Sequence, residues 1–107
     1  MATPLTLETG RTEQGVPRVV VTGEIDLTNV AEFRGALTAA TDSAGDARAL
    51  AVDLAAVKYL DSSAINVLFS QTEHAEMHLV VNRFLMPVLR ISGLGQLATI
   101  EEAPESA

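Results

Sequence analysis

Asp61, Ser62 and Ser63 stand between the apolar run that ends "VKYL" and a second apolar series that begins at Ile65. An acid beside two hydroxyls at such a junction supports two kinds of chemistry. One is helix capping, because the first N–H groups of a helix lack intrahelical partners and Asp61, Ser62 or Ser63 can accept from them. The other is covalent modification. A hydroxyl on the first turn of a helix lies in positive partial charge that tolerates a phosphate, and a phosphate adds about -1.5 to -2 charge at pH 7. Capping accounts for one hydroxyl and leaves the second over. Hydrolysis by Ser62 with Asp61 and His74 lacks the Gly-x-Ser-x-Gly elbow, and a small domain builds a cleft with difficulty. His74 and His78 are four apart, but a strand starting near Met77 takes them off a common helix face, and a third ligand is missing. Neither a metal site nor a catalytic set is expected.

The elements that position this junction follow from periodicity. Leu5 and Leu7 alternate with polar residues, as in a short edge strand, and the polar stretch 10–15 reads as a turn. Val19, Val20 and Val21 are consecutive and β-branched, which predicts a strand covered on both faces and paired with the first as a hairpin. Gly23 then allows the chain to bend away from the sheet. Asn29 and Glu32 have capping-box spacing, and Val30, Phe33, Leu37 and Ala40 form one helical face that stops near Ser43 to Gly45. "ALAVDLAAV" predicts a central strand with Leu50, Val52 and Leu54 on one face. A second helix runs from Ser63 through Ile65, Leu68 and Phe69 to near His74. "MHLVVN" is a further strand. Pro87 suits the first turn of a third helix that carries Val88, Leu89 and Ile91 and ends at Gly93. "LATI" is a last short strand, and the acidic residues 102–107 are expected to fray. Strands alternating with helices predict an α/β domain, a mostly parallel sheet with helices packed on it.

Composition narrows the function. A chain of 107 residues fits one domain. Hydrophobic residues make up 48% but aromatic residues only 4%, with no Trp, so the core must be aliphatic. Fourteen acids against seven bases give a charge of -7, which argues against nucleic acid and anionic membranes as partners and suits a protein that is basic where it docks. The absence of Cys excludes disulfides and cysteine-ligated zinc. "MATPLTLETG" has no signal-peptide pattern, and no apolar stretch approaches the roughly 20 residues that span a bilayer. A cytoplasmic location is expected.

These residues carry a resemblance. "VKYLDSSAINVL" resembles the signature of STAS domains, especially the anti-sigma factor antagonists, whose pattern is apolar-x-x-apolar-Asp-Ser-Ser-Gly-apolar. "GEIDLTNVAEFRGAL" is similar to the family's Gly-Glu-apolar-Asp block, and "LVVN" followed by an apolar helix and "ISGL" resembles its C-terminal third. The likeness spans nearly the whole chain, 1–107, in order. It implies a single STAS-like domain with a small mixed sheet of about four to five strands and helices packed on it. It implies a binding protein, not an enzyme and without a cofactor. Such a protein captures an anti-sigma factor of the GHKL-type serine kinase fold and so frees a sigma factor by partner switching. The kinase inactivates it by phosphorylating the serine after the motif Asp, here Ser62, and a serine phosphatase restores it. By the same resemblance Asp26, Asp61, Ser62, Ser63, Ala64 and Asn66 form the partner-binding set. Two departures stand out. Ala64 replaces the family's Gly, and "QTEHAEMHL" lacks the Gly pair that usually follows a second helix about one turn longer. The alternative within the same fold is a STAS subunit of a transporter or stress-sensing assembly that is not phosphorylated.

Overall fold

Strand β3 (Ala49–Leu60) organises the molecule, which a computed structural model describes over residues 4–104. It pairs in parallel with β2 (Pro17–Ile25) on one side and β4 (Glu76–Val81) on the other. β1 (Thr6–Arg11) pairs antiparallel with β2, and β5 (Thr99–Glu102) pairs parallel with β4. The sheet order is β1-β2-β3-β4-β5. Helices α1 (Val30–Ser43), α2 (Ser62–Gln71) and α3 (Met86–Ser92) connect the successive parallel strands. This is the α/β class with the mixed sheet and opening hairpin that the sequence predicts.

Strand order that follows chain order, with crossovers of one hand, puts all three helices on one face of the sheet. Burial follows from that. Val19, Val21, Leu50, Val52, Leu54, Leu79 and Val81 point inward and pack with Phe33 and Leu37 of α1, Leu68 of α2 and Leu89 of α3. The alternate residues Arg18, Val20, Ala51, Asp53, His78 and Val80 are exposed or half-buried. The expectation that Val19 to Val21 would be covered on both faces is therefore corrected: Val20 lies on the open face because no helix crosses there.

Several local features differ from expectation. Gly23 does not turn the chain out of the sheet. It sits inside β2 at φ +93°, where β3 bulges against it, a backbone conformation that glycine adopts without a Cβ clash. β3 carries an extra residue opposite Val20/Thr22 and another opposite Gly23/Glu24. Its inward side chains change from Leu50, Val52 and Leu54 to the wider spacing of Val57 and Leu60, and Lys58 and Tyr59 are both left outside. α2 ends at Gln71, short of His74, and the chain turns where Arg48 donates from Nε to the His74 carbonyl (3.0 Å) and from a terminal guanidinium N–H to that of Glu73 (2.9 Å). On α3, Val88 and Ile91 are exposed, while Met86 and Leu89 make the core contact. Of the tail 102–107, Glu102 closes β5 and the Ala103 N–H donates to the Val81 carbonyl at 2.7 Å; residues 105–107 lie outside the described residues.

β3 extends beyond the end of β4, so its carbonyls need partners there. Asn82 supplies them. Its Nδ2 donates to the carbonyls of Ala55 (3.2 Å) and Val57 (2.7 Å), and its Oδ1 accepts from the N–H groups of Phe84 (3.0 Å) and Leu85 (3.1 Å) at the entry to α3. Asn82→Ala should lower stability by about 1–3 kcal/mol in urea denaturation, the range for stranding half-buried polar groups. Asn82→Asp should be at least as damaging at neutral pH, because it keeps the acceptor but sets a carboxylate against two carbonyl oxygens.

Candidate functional site

Two β-to-α junctions lie side by side at the ends of β2 and β3, because Ile25 pairs with Leu60 and the Asp61 N–H donates to the Ile25 carbonyl (3.2 Å). Each is built the same way. At the first, Asp26 Oδ1 accepts from both the N–H (2.9 Å) and the hydroxyl of Thr28. At the second, Asp61 Oδ1 accepts from both the N–H (2.9 Å) and the hydroxyl of Ser63, and from the Ala64 N–H (3.3 Å). An aspartate whose side chain bonds two residues ahead mimics a backbone turn, so each acid bends the chain from strand into helix.

The capping question has a definite answer. Asp61 is the N-cap of α2; neither serine is. Ser63 is half-buried with its hydroxyl committed to Asp61. Ser62 is the first helical residue, exposed, and its hydroxyl has no hydrogen-bond partner among the described residues. At α1 the capping box expected of Asn29 and Glu32 does not form. The Asn29 side chain instead accepts from the Asp26 N–H (2.9 Å) and donates to the Glu24 carbonyl (2.9 Å), fixing the turn that carries Asp26.

The hydrogen bond from the Ser63 hydroxyl, together with the N–H groups of Ala64, Ser63 and Leu27, holds the Asp61 carboxyl below the usual carboxylate range; partial burial works in the opposite direction and is outweighed. The remaining members of the expected partner-facing set divide. Asp26 is half-buried and Asn66 exposed, both on this end of the molecule. Ala64 is fully buried, so it can shape the turn from beneath but cannot touch a partner. Two further residues at this end are exposed without any periodicity to mark them, Leu27 at 77% and Tyr59 at 51%. The signal for Leu27 was an apolar residue within the turn-forming "DLTN". That for Tyr59 was absent, since only the bulges turn it outward.

Ser62 opens α2 and His74 lies past its other end, about 15 Å of helix apart, which removes the hydrolase geometry. His78 pairs instead with Glu101 on the open sheet face (3.2 Å). Among the described residues no group of His, Cys, Asp and Glu is placed to hold a metal ion, and no helix is long and apolar enough to cross a membrane.

Comparison with known proteins agrees with this fold. The sequence model of the family described as "Mlab, STAS domain" matches residues 9–100. No curated protein matches the chain. Among solved structures, an anti-sigma factor antagonist from Mycobacterium paratuberculosis superposes with a TM-score of 0.79 at 24% identity, over 91% of this chain and 85% of that one. The anti-sigma factor antagonist SpoIIAA in its unphosphorylated form gives 0.73 at 16% identity, over 94% and 90%. The Bacillus cell fate determinant SpoIIAA in its phosphorylated form gives 0.67 at 17% identity, over 94% and 93%. At these identities the likeness establishes the fold.

The capping assignment has a measurable consequence. Asp61→Ala should destabilise the domain by about 0.5–2 kcal/mol at neutral pH, whereas Ser62→Ala should change stability little. Because the folded Asp61 carboxyl has the lower pKa, its contribution is present above the unfolded value of about 3.9 and is lost as pH falls through the folded one. The gap between parent and Asp61→Ala in urea melts should therefore narrow as pH is lowered from neutral into the range where carboxylates protonate.

Proposed function

This chain belongs to the STAS domain family, and from that premise we propose that it is an anti-sigma factor antagonist switched at Ser62. The observation that carries the reading is the division of labour at the α2 N-terminus. Asp61 does the capping, so the Ser62 hydroxyl is exposed and unused by the fold. It is free to be modified without unfolding the helix. In the unphosphorylated state the Asp26 and Asp61 turns, with Asn66 one turn beyond Ser62 on α2, form the face that captures an anti-sigma factor of the GHKL-type serine kinase class, and a sigma factor is released. The kinase reverses this. The Ser62 oxygen bonds to the γ-phosphorus of ATP held by the kinase, ADP leaves, and the hydroxyl proton passes to a base on the kinase. The new phosphate is tolerated by the helix N-terminus but enters a surface that binding must desolvate. A serine phosphatase resets the switch by hydrolysis. On this reading the chain is a cytoplasmic binding protein and not an enzyme.

A second reading has an observation of its own. Four of the six large hydrophobics exposed among the described residues, Phe84, Val88, Ile91 and Leu97, lie on α3 and the turns on either side of it. They are accompanied by Arg83 and Arg90, in a stretch (82–100) without an acid. Such a surface suits a STAS subunit held in a transporter or stress-sensing assembly. The composition of the complex recovered from native cells separates the two: a soluble serine kinase supports the switch, and a membrane transport complex supports the assembly.

The switch is tested by incubating the chain with that kinase and ATP and mapping the phosphate by mass spectrometry. Ser62 is the expected site; modification of Ser63 or a threonine alone would count against the reading. In calorimetric titration Ser62→Glu should weaken kinase binding far more than Ser62→Ala. An unpaired carboxylate buried at an interface costs several kcal/mol, or orders of magnitude in affinity, whereas Ala adds no charge. Asp26→Asn should weaken binding while leaving the circular dichroism spectrum intact.

A further inference from the structure

We propose that Leu27 is the apolar anchor of the partner interface, and that the anti-sigma factor receives it in an apolar pocket bordered by Arg or Lys side chains. The inference rests on the antagonist reading of the same site and says what holds the partner there. Single exposed hydrophobics are common and by themselves need no explanation. Leu27 differs in how it is held. It is 77% exposed, yet the turn that presents it is fixed on both sides. The N–H groups of Asn29 (3.1 Å) and Val30 (2.8 Å) donate to the Asp26 carbonyl, the Thr28 N–H donates to Asp26 Oδ1, and the Asn29 side chain ties the turn back to β2. The Leu27 N–H itself is turned toward the Asp61 carboxylate of the neighbouring junction. A backbone held this firmly loses little freedom on binding, which lowers the ordering cost of burying the residue it presents.

Charge identifies the chemistry of the partner. Leu27 follows Asp26 in the chain and its N–H faces the Asp61 carboxylate, on a chain with a net charge of -7. A pocket that buries the leucine must bring the partner's surface against both acids, and a basic rim is the complement. The same arrangement explains how Ser62 would control binding. Leu27, through its N–H, and Ser62, through the chain, flank one carboxylate. A phosphate on Ser62 would stand at the rim of the Leu27 pocket, so that the leucine could be desolvated only by trapping a dianion beside it. The anchor and the switch are then one device, with the apolar contact supplying affinity and the phosphate cancelling it.

The test is a double-mutant cycle, read by calorimetric titration against the serine kinase that phosphorylates the chain. Leu27→Ala should weaken binding about tenfold or more, Leu27→Asp further, and Leu27→Met should stay near the parent, with the thermal midpoint unchanged in all three because the side chain is outside the core. The loss caused by Ser62→Glu should be smaller in the Leu27→Ala background than in the parent, as contacts that share one pocket are not additive. Parent-like binding by Leu27→Ala overturns the anchor while leaving the antagonist reading in place, and strict additivity overturns its coupling to the switch. A Leu27-dependent dimer in sedimentation of the chain alone assigns the residue to self-association and overturns the proposal. A parent chain that binds no anti-sigma kinase overturns the antagonist reading, and this one with it.

Discussion

The candidate site depends on what one carboxylate does. Asp61 follows β3, donates its N–H to β2, and accepts from Ser63 and Ala64 to start α2. It thereby joins two strands and a helix in a single residue. Because the aspartate supplies the acceptor that a helix N-terminus needs, the next residue is relieved of structural duty. A serine in that position can carry a regulatory group at little cost to folding.

The neighbouring junction repeats the solution, with Asp26 and Thr28 in the places of Asp61 and Ser63. Asn82 uses the amide version at the third crossover. Parallel strands must leave the sheet at the same end, and each exit exposes backbone groups that have lost their ladder partners. A short polar side chain bonding two or three residues ahead meets that need locally. Leu27 and Ser62 are exposed residues of the first two turns. Their side chains take no part in the hydrogen bonds that shape those turns.

The bulges in β3 determine which of these turns meet. Two extra residues lengthen β3 against β2 and carry its end past β4. The first and second junctions are brought level, and the third is left lower, bridged by the Asn82 side chain. The charged and aromatic pair Lys58 and Tyr59 is turned outward by the same irregularity. A strand with regular alternation would have buried one of them.

The order of elements, the aliphatic core and the position of the Asp-Ser-Ser junction were legible in the residues alone. Periodicity in Val30, Phe33, Leu37 and Ala40, or in Leu50, Val52 and Leu54, reports a buried face wherever that face lies, because burial acts on each residue through its own side chain. The spacing of Asp61, Ser62 and Ser63 likewise announced a helix start. Which of the three would cap it was not legible, since all can accept from the same N–H groups and the choice is made by backbone angles. Nor could the sequence distinguish the covered face of Val20 from its open one, show that Asn29 braces the Asp26 turn in preference to capping α1, or reveal that Ala64 is buried and Leu27 exposed. Those outcomes depend on contacts between segments distant in the chain: crossovers that all fall on one side, a register shifted by two bulges, and an N–H of β3's end reaching a carbonyl of β2. Only the assembled sheet sets them.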